Sequence, residues 1–201
     1  MTLYRQYISL IKYVQTIVSV LSVLLFLFIM PMIINFAPGL LSQDFQANLY
    51  ALSLFAVTFV MAIRPLADIF GWVWLRNLVI LRKSFGILSA SIIIGFALVQ
   101  VLQQGNEYFL RILTPEYWEI INGAYLAHIG DVTAAILLIT SNTFSRRSLG
   151  KWWKRIQKLA YVYFYSGALY VVVIFQEMYA LIALVLVSVL LIIAYVKKRL
   201  L

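Results

Sequence analysis

Apolar positions gather into six long runs, Val14–Phe36, Ala47–Ile63, Phe85–Leu102, Gly123–Ser141, Leu159–Phe175 and Met178–Val196, separated by short polar or mixed connections. A bilayer core of about 30 Å takes roughly 20 helical residues, so each run is long enough, or nearly long enough, to cross it. Backbone polar groups must be satisfied within the segment in lipid, and the runs lack the strict alternation of barrel strands. The pattern therefore predicts an all-α polytopic membrane protein, a six-transmembrane-helix bundle forming one domain over residues 1–201. The first run reads as a span rather than a signal peptide, because it is too long and no small-residue cleavage site follows Ile34 and Asn35.

The connections differ in kind. Only Gln176 and Glu177 join the fifth and sixth runs, which predicts an antiparallel hairpin. The second connection, GWVWLRNLVILRK, is amphipathic and too short to span; Trp72 and Trp74 suit headgroup depth, with Arg76, Arg82 and Lys83 towards water. In the third, Pro115 to Ile120 reads as a short helix with Pro in its first turn. No internal repeat, low-complexity segment or domain boundary interrupts the chain.

Composition agrees, with 64% of the 201 residues hydrophobic against about half in a soluble domain. Charge adds direction. Arg5 and Lys12 precede the first run; Arg64, Arg76, Arg82 and Lys83 lie between the second and third. Arg146, Arg147, Lys151, Lys154, Arg155 and Lys158 lie between the fourth and fifth, and Lys197, Lys198 and Arg199 follow the sixth. Of the sixteen bases only Arg111 falls on the other side, together with Asp44, Glu107, Glu116, Glu119 and Glu177. By the positive-inside rule both termini are expected in the cytoplasm. The +9 net charge is thus a matter of topology and lipid headgroups, and no nucleic-acid partner is expected. There is no cysteine and a single histidine, His128. Disulfides, thiol relays, iron–sulfur clusters and Cys zinc sites are excluded together, and no metal site is expected. Walker and dinucleotide-binding loops are absent, and no serine is placed to form a triad with His128.

One stretch carries a family resemblance. SRRSLGKWWKRIQKLAYVYF resembles the LG-x-x-W-x-x-L-H-x-x-x-Y signature of the ferric reductase-like transmembrane domain family, on its MsrQ/YedZ-type branch of membrane haem subunits. Leu149, Gly150, Trp153, Ile156 and Tyr161 fall on the pattern. Pro65-Leu66-Ala67 resembles the family's turn after helix 2. Arg82, Lys83 and Gly86 resemble its entry to helix 3, and Thr140-Ser141 the end of its helix 4. The likeness covers roughly residues 47–175 and implies six helices and two haem b groups held by histidines on helices 3 and 5. Aligned on Gly86 and Trp153, those positions hold Phe96, Gln157 and Tyr170. Gln157 and Tyr170 lie about 19 Å apart along a helix, the separation of two stacked haem levels. Phe has no donor atom, Gln is a poor iron ligand, and Tyr ligates only as a phenolate whose charge is costly in a bilayer. The expectation is a haem-less bundle with no cofactor, its haem cavities filled by side chains such as Tyr161, Tyr163, Phe164, Tyr165 and Tyr170.

Two further groups are candidates. His128 and Asp131 stand at i, i+3 on the fourth helix and share a face, either as a hydrogen-bonded pair near the outer interface or as a quinone or proton site. Arg146, Arg147, Lys151, Trp152, Lys154, Arg155 and Lys158 form a basic, aromatic cluster suited to an acidic partner or anionic lipid, or simply to anchoring helix 5. The small residues Ser166, Gly167 and Ala168 are expected in helix packing. Three functions stay open: a non-catalytic membrane subunit binding other membrane subunits, lipid or pigment; a haem b, quinol-linked electron-transfer subunit of an oxidoreductase; and a proton or small-solute path past His128 and Asp131. The expected location is a bacterial inner membrane or an equivalent energy-transducing membrane.

Overall fold

The computed structural model describes residues 2–37, 39–119 and 123–200. In order, its helices are α1 (Thr2–Leu24), α2 (Met30–Phe36), α3 (Gln43–Phe70), α4 (Val73–Leu78), α5 (Arg82–Gln104), α6 (Asn106–Leu113), α7 (Ala124–Thr140), α8 (Thr143–Leu149), α9 (Lys151–Ile156), α10 (Leu159–Tyr170) and α11 (Met178–Leu200). Five helical stretches are long and apolar enough to cross a membrane: Gln6–Phe36, Gln43–Phe70, Val73–Gln104, Lys151–Phe175 and Met178–Leu200. A sixth is added if α7 and α8, bent by 93°, count as one span. The chain is an all-α, multi-pass integral membrane protein.

A π-helical turn, Leu25–Ile29, joins α1 to α2. Pro31 has no N–H to offer the carbonyl one turn earlier, so the helix widens there instead of breaking. Ser42 caps α3 by accepting from the Phe45 N–H at 3.2 Å, and Gly71, in the left-handed region at φ +71°, ends it. Pro65 lies inside this helix, so the turn that Pro65-Leu66-Ala67 resembles does not form. One reason the helix continues is at its far end, where Lys197 on α11 donates to the Ile69 carbonyl at 2.5 Å, placing a cation on the helix C-terminus. In the third connection α6 forms ahead of a single 3₁₀ turn that covers Pro115–Trp118. Ile120, the end of the short helix expected there, lies outside the described residues. The hairpin between α10 and α11 turns on Gln176 in the left-handed region, φ +55°.

Four helices make a closed ring, α3 against α5, α5 against α7, α7 against α10, and α10 back against α3. The first span packs outside it on α5, and α11 packs outside on α3 and α10. One end of the ring carries the clustered bases, with Asp68 beside Arg64; the opposite end, with α6 and the 3₁₀ turn, carries Asp44, Glu107, Glu116 and Glu177. From mid-depth towards the basic end the ring is filled by an apolar core that includes Val57, Met61, Ala90, Ala134, Leu137 and Phe164. Close approach fixes the first span in place: a Cβ at Gly95 would collide with the Phe26 carbonyl oxygen of the π turn.

Candidate functional site: an open cavity at the acidic end of the ring

At the acidic end the ring is not filled. A cavity of about 880 Å³ lies among α3, α5, α7 and α10, roofed by α6 and the 3₁₀ turn, within the roughly 300–1,000 Å³ of small-molecule pockets. It therefore corrects the expectation that side chains fill both haem spaces. Tyr161 and Tyr165 do not line it, while Tyr163, Phe164 and Tyr170 do. Gly130 on α7 and Gly167 on α10 line it; a Cβ at Gly130 would touch Ser166 Oγ at 3.5 Å. A Cβ added at Gly167 would meet nothing within 4 Å, so this glycine fronts space and its neighbours Ser166 and Ala168 do the packing.

Two of the three positions read from the resemblance meet at this cavity. Phe96 on α5 is stacked on Tyr50 of α3, ring centroids 4.2 Å apart and planes 15° apart, forming a flat wall. Tyr170, at the end of α10, lines the cavity and meets Phe175 edge to face. Gln157 is elsewhere, at the α9–α10 junction near the basic end. Its Nε2 donates to Thr140 Oγ1 at 3.3 Å, and the Trp153 indole donates to the Thr140 carbonyl at 2.9 Å.

The cavity floor is a hydroxyl cluster that the sequence reading did not anticipate. Tyr163 and Ser53 line it, and Ser89 completes it from α5. All three hydroxyl protons can be used at once: Tyr163 donates to Ser89 Oγ (2.6 Å), Ser89 to the Ser53 carbonyl (2.9 Å) and Ser53 to the Ser89 carbonyl (3.2 Å). This joins α3, α5 and α10 at mid-depth without an unsatisfied polar group, which lipid would penalise. The available signal was three polar residues on otherwise apolar faces of three spans, visible only once the faces are known to meet.

The candidate pair on α7 is divided. Asp131 lines the cavity about 10 Å from the start of its helix, with no hydrogen-bond partner among the described residues. His128 does not line it. Its ring meets Tyr117 and Trp118 edge to face, at 6.1 and 5.9 Å, and its Nδ1 is buried without a partner among the described residues. No hydrogen bond joins the two. Around the mouth stand Gln43, Arg111, Glu116 and Glu177. Burial raises the Tyr108 and Tyr117 phenols above the ordinary tyrosine value; the Asp131 charge adds to both and Arg111 opposes it.

The donor atoms facing this space are phenol, carboxylate, amide and hydroxyl groups, with no imidazole, thiolate or thioether. That set does not fit a haem of the electron-transfer kind, whose iron takes such ligands. Among the described residues no group of three or more His, Cys, Asp or Glu could hold a metal ion.

At the basic end, Asn142 caps α8 by accepting from the Ser145 N–H at 2.6 Å, and α8 turns away from α7 by 93°. Gly150, at φ +49°, permits the next turn into α9. Arg146 lies over the Trp153 ring at 5.4 Å and Arg155 over Trp152 at 4.6 Å. Arg146, Arg147, Lys151, Trp152, Lys154, Arg155 and Lys158 are all exposed, beside an exposed Phe144.

No family model matches the chain, and no solved structure does. Two curated relatives match. Both carry the name protein-methionine-sulfoxide reductase heme-binding subunit MsrQ. The one from Rhizobium meliloti (strain 1021) is 31% identical over 140 residues, 66% of this chain and 59% of the relative. The one from Brucella anthropi is 30% identical over 128 residues, 60% of this chain and 54% of the relative. The match thus spans little more than half the length of these curated relatives. Over that part of its length the chain is similar to these two MsrQ heme-binding subunits.

Proposed function

We propose that this chain is a haem-less membrane subunit of the ferric reductase-like family, which keeps a small-molecule cavity where its relatives' resemblance puts an outer haem, and which serves as a binding component of a larger membrane assembly. The observation that carries this is the fate of the three ligand positions. Phe96 is committed to a ring stack, Gln157 to a hydrogen bond at a helix junction, and Tyr170 to an aromatic contact. The one imidazole is packed against Tyr117 and Trp118 away from the cavity lining. Both termini and the basic cluster are cytoplasmic in this proposal, on the charge distribution, and the exposed bases with Trp152 contact anionic lipid at that face. Each such base contributes on the order of 1 kcal/mol. Reporter fusions at Leu201 and after Arg147 are expected to read cytoplasm and one near Glu107 the outside; a cytoplasmic signal at Glu107 overturns that orientation.

The haem proposal is tested by the absorption spectrum of protein purified from haem-replete cells. No Soret band and no reduced α band are expected. A stoichiometric b-type spectrum overturns the reading and favours the second one, a haem b, quinol-linked electron-transfer subunit. That second reading has two supports: the relatives are named heme-binding subunits, and open volume remains beside Phe96 and Tyr170. A proton or solute path is less well supported, because the packed half of the ring lies between the cavity and the basic end.

A further inference from the structure

The cavity has a chemical character of its own. Six tyrosines and three phenylalanines line it, and the rings of Tyr50 and Phe96 form one flat wall. Set into this aromatic surface is one carboxylate, Asp131 on α7, the one acid among the described lining residues that lies well inside a long apolar helix. At the mouth Glu116 and Glu177 face a single base, Arg111, so acids outnumber bases three to one around the space. A carboxylate carried into a bilayer is costly unless a partner is supplied, and no hydrogen-bond partner for Asp131 is found among the described residues. Aromatic faces attract cations through their quadrupoles and do so most strongly where water is excluded. An anion would meet the opposite conditions at each of these points.

From this juxtaposition of aromatic lining, half-buried carboxylate and acidic mouth, we infer that the cavity binds a hydrophobic organic cation, an amine or quaternary ammonium whose charge sits by Asp131 and whose apolar body lies along the Tyr50–Phe96 wall. The inference rests on the haem-less reading, since a haem would occupy the same space. Entry is from the acidic end, where the excess negative charge raises the local concentration of cations. The hydroxyl floor at Ser53, Ser89 and Tyr163 is internally satisfied and sets the depth limit.

The test uses two ions of one shape and opposite charge. The full chain, purified in a non-ionic maltoside, is dialysed to equilibrium against radiolabelled tetraphenylphosphonium and, separately, tetraphenylborate. Saturable, stoichiometric binding of the phosphonium is expected, with the borate at least about tenfold weaker. Asp131→Asn keeps the shape and removes the charge; it is expected to weaken phosphonium binding at least about tenfold and to narrow the gap between the two ions. Gly167→Leu projects into open space and is expected to abolish binding of both. Should that variant fail to fold, Asp131→Asn still decides. Equal binding of the two ions, or phosphonium binding indifferent to Asp131→Asn, overturns the inference. A spectrum of the same preparation separates the two failures. No Soret band and no phosphonium binding defeat this inference alone. A Soret band that Gly167→Leu removes defeats the haem-less reading and this inference with it.

Discussion

The two halves of the four-helix ring surround Phe96, Tyr170 and Gln157 in different ways. Towards the basic end, Gln157 is tied to Thr140, and Val57, Met61, Ala90 and Leu137 close the interior. At the acidic end Phe96 and Tyr170 stand at the edge of about 880 Å³ of open space. The residue at each of these positions does not by itself decide whether space remains beside it. The neighbours decide. Gly167 helps hold the acidic half open, because a larger side chain there would project into it, whereas the basic half has branched and sulfur-containing side chains facing inwards.

That contrast can be broken most visibly by restoring imidazoles. Phe96→His combined with Tyr170→His, expressed in haem-replete cells, is expected to gain a b-type Soret band where the parent has none, since both positions border open volume. Gln157→His is expected to gain none, because its surroundings are packed. A Soret band in the second variant and not the first would reverse the assignment of open and closed halves. A smaller effect separates two glycines. Gly95→Ala sets a methyl against the Phe26 backbone oxygen, and the helices must part; a loss of about 1–3 kcal/mol is expected, read as a lower melting temperature in detergent. Gly167→Ala meets nothing and is expected to match the parent or gain up to about 1 kcal/mol from helix propensity. Equal losses at both sites would mean that the space beside Gly167 is not real. The smallest effect is at the floor between the halves. Tyr163→Phe removes the donor to Ser89 and leaves the two serine–carbonyl bonds, for a loss of about 1 kcal/mol in the same melting assay. A loss of several kcal/mol would show that the cluster, and not the apolar core, holds the ring together.

The spans were legible in the sequence because a bilayer demands long apolar runs, and the α10–α11 hairpin because only Gln176 and Glu177 join them. The identity of the inward faces was not. Serines at 53 and 89 read as incidental breaks in apolar runs until α3 and α5 are laid side by side. His128 and Asp131 were read as partners from their i, i+3 spacing, yet positions three apart still differ by about 60° around a helix. That offset is enough to turn one towards the cavity and the other towards Tyr117 and Trp118. Pro65 misled for a related reason: local preference argues for a break, while burial of Pro65 and Ala67 and the Lys197 cap on the far turn favour continuation. The cavity was least visible of all, since it is lined by residues on different helices that no single run of sequence brings together.

The first span lines no part of the cavity, and 17% of its most apolar window is buried against 56% for the span that follows. It is held at α5 through the contact of Gly95 with the π turn. Its relation to the ring is that of a fender to a hull: it shields one flank from lipid and takes no part in the hold. Substitution on its outward faces should be tolerated freely so long as residues stay apolar, and constraint should collect on the narrow strip around Phe26 and Pro31 where the two surfaces touch.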